Sequence, residues 1–139
     1  VPKLQEQIEK YMFSFSLELL DQLQKRQIKS YIISASPHLF VEEVPSFLTM
    51  FEPESVSGIN VDTKDSKPVD PIINFADGKT QRLKSICEQN KHFSIFAAGN
   101  SSTSDLPMMH YTCEQGGCAV LVNSKPQDKV ERLWQLHIK

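Results

Sequence analysis

The sequence predicts an α/β domain built on a mostly parallel, doubly wound sheet, and three observations carry that expectation. Apolar runs of strand length alternate with stretches of helical periodicity from Ile28 onward. The runs are continuous, as in Tyr31-Ile32-Ile33 and Ile95-Phe96-Ala97-Ala98, and do not alternate with polar residues. Continuous runs mark strands covered on both faces. The length, 139 residues, is enough for one domain with a real core.

The first element is a long helix from Leu4 to about Lys25. Leu4, Ile8, Tyr11, Phe15, Leu19 and Leu23 recur at steps of three and four, with no Gly or Pro between them. Phe13, Leu17 and Leu20 fall roughly opposite that stripe, so the helix expects cover on two sides. Ile28–Ser34 reads as a strand, ended by Ser36-Pro37 because proline cannot donate in a central ladder. His38 to about Leu48 reads as a helix that Pro45 kinks or splits. Phe51–Ser57 is mixed, Gly58–Val61 is a short strand, and the polar Asp62–Pro71 is an exposed loop. Pro71–Phe75 reads as a weak strand and Asp77-Gly78 as a turn. Lys79–Asn90 is a helix with Leu83, Ile86 and Cys87 inward, and His92–Ala98 a buried strand. Asp105–Glu114 is a helix that Asp105 caps, Gly116-Gly117 turns the chain, and Cys118–Val122 is a second buried strand. Pro126–Gln135 closes the series as a short helix.

Composition narrows the function classes. Fifteen basic and seventeen acidic residues are well mixed, giving a net charge of -2 and no basic block of the kind nucleic acid selects. Apolar runs fall far short of the roughly 20 residues that span a bilayer, so no membrane role is expected. Cys87, Cys113 and Cys118 form an odd set without a CxxC, which favours free thiols in a reducing, cytoplasmic setting. A Cys113–Cys118 bridge across Gly116-Gly117 is the alternative. His38, His92, His110 and His137 lack ligand spacing. Val1-Pro2-Lys3 is no signal peptide and carries no initiator Met, which suggests a trimmed or cleaved chain.

In parallel sheets ligands bind at the carboxyl ends of the strands. Ser34 and the loop Gly99-Asn100-Ser101 to Asp105 both fall at such ends. Lys79 stands at a helix start, where a cation does not help the helix dipole and so suggests another task.

The stretches YIISASP, Asp77-Gly78-Lys79 with Leu83 and Ile86, and GNSSTSDLPMM occur in one order across nearly all of the chain. Together they resemble the haloacid-dehalogenase-like hydrolases, in particular the phosphoserine and phosphorylcholine phosphatase-like branch. The resemblance implies that Ser34 holds a phosphoryl oxygen and that Lys79 neutralises the phosphate and an attacking carboxylate. It implies that Asp105, with Asn100, holds Mg²⁺, and that Gly99 and Ser101 support the loop. Asn100 stands where many members carry an acid, and Asp105 follows Gly99 by six residues where five is commoner.

The family opens on a strand ending in Asp-x-Asp, whose first aspartate attacks phosphorus. No apolar run followed by Asp-x-Asp occurs here. The resemblance therefore implies that residues 1–139 are the C-terminal part of such a core, and that its central strand and nucleophile come from an N-terminal segment or a second chain. Residues 1–27 would contact or belong to a cap region. The implied activity is Mg²⁺-dependent hydrolysis of a small phosphomonoester through an aspartyl-phosphate, with this chain inactive alone. A catalytically inactive, phosphatase-like binding or assembly module is the alternative.

Overall fold

Residues 14–122 are described by the computed structural model, and they divide into two units between Asn60 and Val61. Each contains one pair of parallel strands. The expected helix over residues 4–13 and the helix Pro126–Gln135 lie outside the described residues.

In the first unit, α1 (Ser14–Lys25) has no fully buried residue. Phe15, on the longer apolar stripe, is half exposed, whereas Leu20 of the opposite stripe packs on the core. The helix ends with Gln27 in the left-handed region, φ 59°. Ile28 N–H donates to the Leu23 carbonyl and Gln27 N–H to that of Gln24, the double bond of a Schellman cap. That cap consumes the start of the run expected to be strand, so β1 is Ile32–Pro37 and not Ile28–Ser34.

α2 (His38–Val41) and α3 (Val44–Phe47) replace one longer helix, with Pro45 in the first turn of α3 where its missing N–H has no cost. A 3₁₀ turn, Pro53–Ser55, leads into β2, Val56–Ile59, two residues earlier than the sequence suggests. β1 and β2 pair in parallel as Ile32↔Val56 and Ile33↔Ser57, then slip before Pro37↔Ile59. The Gly58 amide donates to His38 Nδ1 at 3.2 Å and ties α2 to β2. Val41, Phe51 and Val56 form the buried centre, with Leu20, Ile32, Val44, Leu48 and Met50 packed around it.

The second unit begins with an exposed stretch over residues 62–69, closed by a single antiparallel bridge, Val61↔Pro68. The strand expected at Pro71–Phe75 does not form. Arg82 takes the place of a ladder neighbour: its Nε donates to Asn74 Oδ1 at 3.1 Å and its terminal nitrogen to the Ile72 carbonyl at 3.3 Å. Asn74 is fully buried as a result.

α3 of the first unit is thus followed by α4 (Asp77–Asn90), β3 (Phe96–Gly99), α5 (Leu106–Glu114) and β4 (Cys118–Leu121). β3 and β4 pair in parallel from Phe96↔Cys118 to Gly99↔Leu121, with α5 packed on both strands and α4 on α5. Met109, Thr112 and Ala97 are buried in that packing.

Among the described residues the strands form two two-stranded parallel ladders, β1–β2 and β3–β4. α5 packs on β3–β4, and Ala98, Cys118 and Val120 are exposed. The α/β class and the parallel pairing stand.

Candidate functional site

The site in the second unit is set by how α4 starts. The Gly78 amide donates to the Phe75 carbonyl at 2.9 Å, and Ala76 has φ 47° and ψ -118°. These are the marks of a type II′ turn. A side chain at Gly78 would place its Cβ 1.6 Å from the Ile73 carbonyl oxygen, so only glycine lets the chain pass there. Asp77-Gly78 is therefore the first turn of α4 itself, and Lys79 is its third residue.

Lys79 points inward. It is only 8% exposed, and its ammonium donates to Asp105 Oδ1 at 2.5 Å across 26 residues of sequence. Asp105, 5% exposed, holds the N-cap position of α5 but makes no side-chain cap bond. Its carboxylate turns back instead, and Oδ2 accepts the Asn100 and Ser101 amides, each at 2.9 Å. The expected capping role is corrected by that competition: two amides and an ammonium outweigh one helix N–H.

The loop closes on itself around this carboxylate. Ser101 Oγ accepts the Ser104 amide at 3.0 Å, and the Asp105 amide donates to the Ser101 carbonyl. A Cβ at Gly99 would lie 2.5 Å from Asp105 Cβ, so the close approach of β3 to the start of α5 requires glycine there.

Lys79, Gly99, Asn100, Ser101 and Asp105 are thus brought together at the carboxyl end of β3. Asn100 meets Asp105 through its backbone amide, and the residue itself is exposed. Ser34 lies in the first unit. It stands inside β1, at the slip in the ladder, where its Oγ accepts the Ser36 amide at 3.1 Å.

Sequence reasoning missed Arg82, whose place one turn after Lys79 was the available signal. It also missed two hydroxyls beside the pair. Thr80 Oγ1 and Ser104 Oγ are buried without a hydrogen-bond partner, a condition rare enough in folded proteins to ask for a cause.

The contacts of Asp105 leave it little capacity as a magnesium ligand. Oδ2 already accepts two amides and Oδ1 the ammonium, whereas Mg²⁺ needs free, hard oxygens in near-octahedral array. The ion would reach Asp105 only by displacing Lys79 or by sharing Oδ1 with it. No cluster of three or more His, Cys, Asp or Glu suited to a metal occurs among the described residues. As arranged, the residues do not fit a resident magnesium ion.

The three cysteines are free, so the Cys113–Cys118 bridge is absent. Burial pushes the Cys87 and Cys113 thiols up, which disfavours the thiolate needed for nucleophilic work. No helix among the described residues is long and apolar enough to cross a membrane. Comparison with protein-family models, with curated proteins and with solved structures gives no match.

Proposed function

We propose that this chain is the phosphate-handling, C-terminal part of a haloacid-dehalogenase-like phosphomonoester hydrolase whose attacking aspartate lies in polypeptide outside residues 1–139. The observation that carries the reading is the buried Lys79–Asp105 pair at the carboxyl end of β3. A doubly wound fold puts its ligand at that rim. Holding one lysine through a 26-residue loop closure is more than an ordinary surface lysine needs.

In phosphoryl transfer the protein mainly positions groups and offsets charge. Lys79 has three N–H donors, and Asp105 takes one of them. The remaining donors can meet phosphate oxygens. The incoming carboxylate oxygen would bond to phosphorus as the P–O bond to the leaving group breaks, and that oxygen leaves with a proton. Water would then cleave the acyl phosphate to inorganic phosphate and the regenerated carboxylate.

Ser34 as a phosphoryl-oxygen donor, and Mg²⁺ itself, enter through the resemblance alone. The doubly wound sheet belongs to the proposal too, with its central strand supplied by the completing segment. The two-stranded size of each ladder among the described residues and the unpartnered hydroxyls of Thr80 and Ser104 support a missing component.

The test is hydrolysis of a small phosphomonoester by the complete protein. Lys79→Met and Asp105→Asn should each lower kcat by about 100-fold or more, and residues 1–139 alone should be inactive. Full activity in either variant, or turnover by the isolated chain, overturns the reading. Inorganic phosphate binding without turnover by the complete protein would select the binding-module alternative.

A further inference from the structure

A cavity of about 250 Å³ opens in the first unit, where the end of α1 and its cap meet the chain leading into β2. Leu20, Ile28 and Met50 give it an aliphatic lining, and Leu20 and Met50 also pack on the core of that unit. The exposed residues that border it include one cation, Lys29, and one anion, Glu52. Neither joins an ion pair among the described residues, although both border the same space. Opposite charges that share a cavity without meeting leave room for a molecule that carries both.

Both charges stand on fixed backbone. Gln27 and Ile28, directly before Lys29, close the cap of α1, and the Lys29 ammonium lies 5.5 Å from the centre of the Tyr31 ring. That distance is within cation–π range. The Glu52 carbonyl accepts both the amide and the hydroxyl of buried Ser55, at 2.9 and 2.7 Å. A site whose parts are held before the ligand arrives loses less on binding it.

We infer that this cavity binds a free α-amino acid with an aliphatic side chain. Its carboxylate would face Lys29, its ammonium Glu52, and its side chain the surface of Leu20, Ile28 and Met50. The site is independent of the phosphatase reading. At roughly 30 Å³ per water the cavity has space for about eight water molecules, the bulk of a small amino acid and too little for a nucleotide. Charge selects further, because Glu52 opposes a phosphate dianion that Lys29 would attract. A simple amine or a simple acid leaves one of the two charges unanswered. Gln24 and Gln27 also border the cavity, and each side-chain amide offers both a donor and an acceptor to such a zwitterion.

The probe is L-leucine, titrated into the full chain and followed by NMR at the Met50 methyl and the Gln24 and Gln27 side-chain amides. Saturation is expected with a Kd on the order of millimolar. Glycine lacks the side chain, isocaproate the ammonium and isoamylamine the carboxylate, and each should bind at least about fivefold more weakly. Lys29→Met should erase the preference for leucine over isoamylamine, and Glu52→Gln the preference over isocaproate. Both side chains are exposed, so both variants should keep the fold.

The absence of any shift at these groups at about 10 mM leucine overturns the assignment. So do analogues that bind as tightly as leucine, or a preference that survives in its variant. Inorganic phosphate moving the same signals overturns it as well and assigns the cavity to anions.

Discussion

Lys79 and Asp105 show what can and cannot be read at the scale of single residues. Both were legible because each marks a boundary where an apolar run or a helix begins or ends. Their partnership was not, because a contact across 26 residues leaves no local trace. Asp105 reads as a cap from its position alone, and only the fold reveals that the ammonium and two loop amides claim it first. A buried pair of this kind depends on both members. Removing one leaves an uncompensated charge and costs about 3–5 kcal/mol, whereas an apolar pair of similar volume can be nearly neutral. Lys79→Met or Asp105→Leu should therefore each destabilise by about that amount, and the double variant by clearly less than the sum. Urea unfolding of the four proteins measures the cycle. Ala76 offers the opposite sign. It occupies the position of a type II′ turn that glycine prefers, at φ 47°. Ala76→Gly should raise the unfolding midpoint, by an amount of about 1 kcal/mol set by the relief of that strain.

At the scale of elements, helices were read better than strands. α4 and α5 fall within two residues of expectation, since Pro107 and the Gly116-Gly117 pair punctuate the chain clearly. The strands moved because apolar runs do not say where a helix cap stops. Gln27 and Lys91 both adopt the left-handed region, and each closes a helix with no glycine to announce it. After Lys91, the His92 amide donates to the Cys87 carbonyl, so the residues directly behind α4 finish the helix before β3 can start. The segment Pro71–Phe75 fails as a strand for a different reason: a side chain, Arg82, bonds Ile72 and Asn74 from α4. Arg82→Ala should cost about 1–3 kcal/mol by leaving buried Asn74 short of a donor. Amide exchange of residues 72–79 should accelerate more than that of α5, and a uniform acceleration would contradict the local role.

For the whole molecule, periodicity was enough to give the α/β class, because it depends only on neighbours along the chain. Ladder order was not, since strand partners such as Ile32 and Val56 are distant in sequence and nothing local selects them. The two-unit division was equally hidden, though the polar stretch with which the second unit opens was read as exposed. Exposed loops of small and polar residues are where proteases cut first. Limited trypsin digestion should therefore nick after Lys64 before any site in α4, leaving two pieces of discrete mass. Among the described residues the β3–β4 ladder has two strands, and neither pairs with a third. Such unpaired flanks are templates for promiscuous pairing between chains. Material produced from these residues alone should accordingly turn turbid as it is concentrated, and co-production with a segment carrying the proposed central strand should keep it in the clear supernatant.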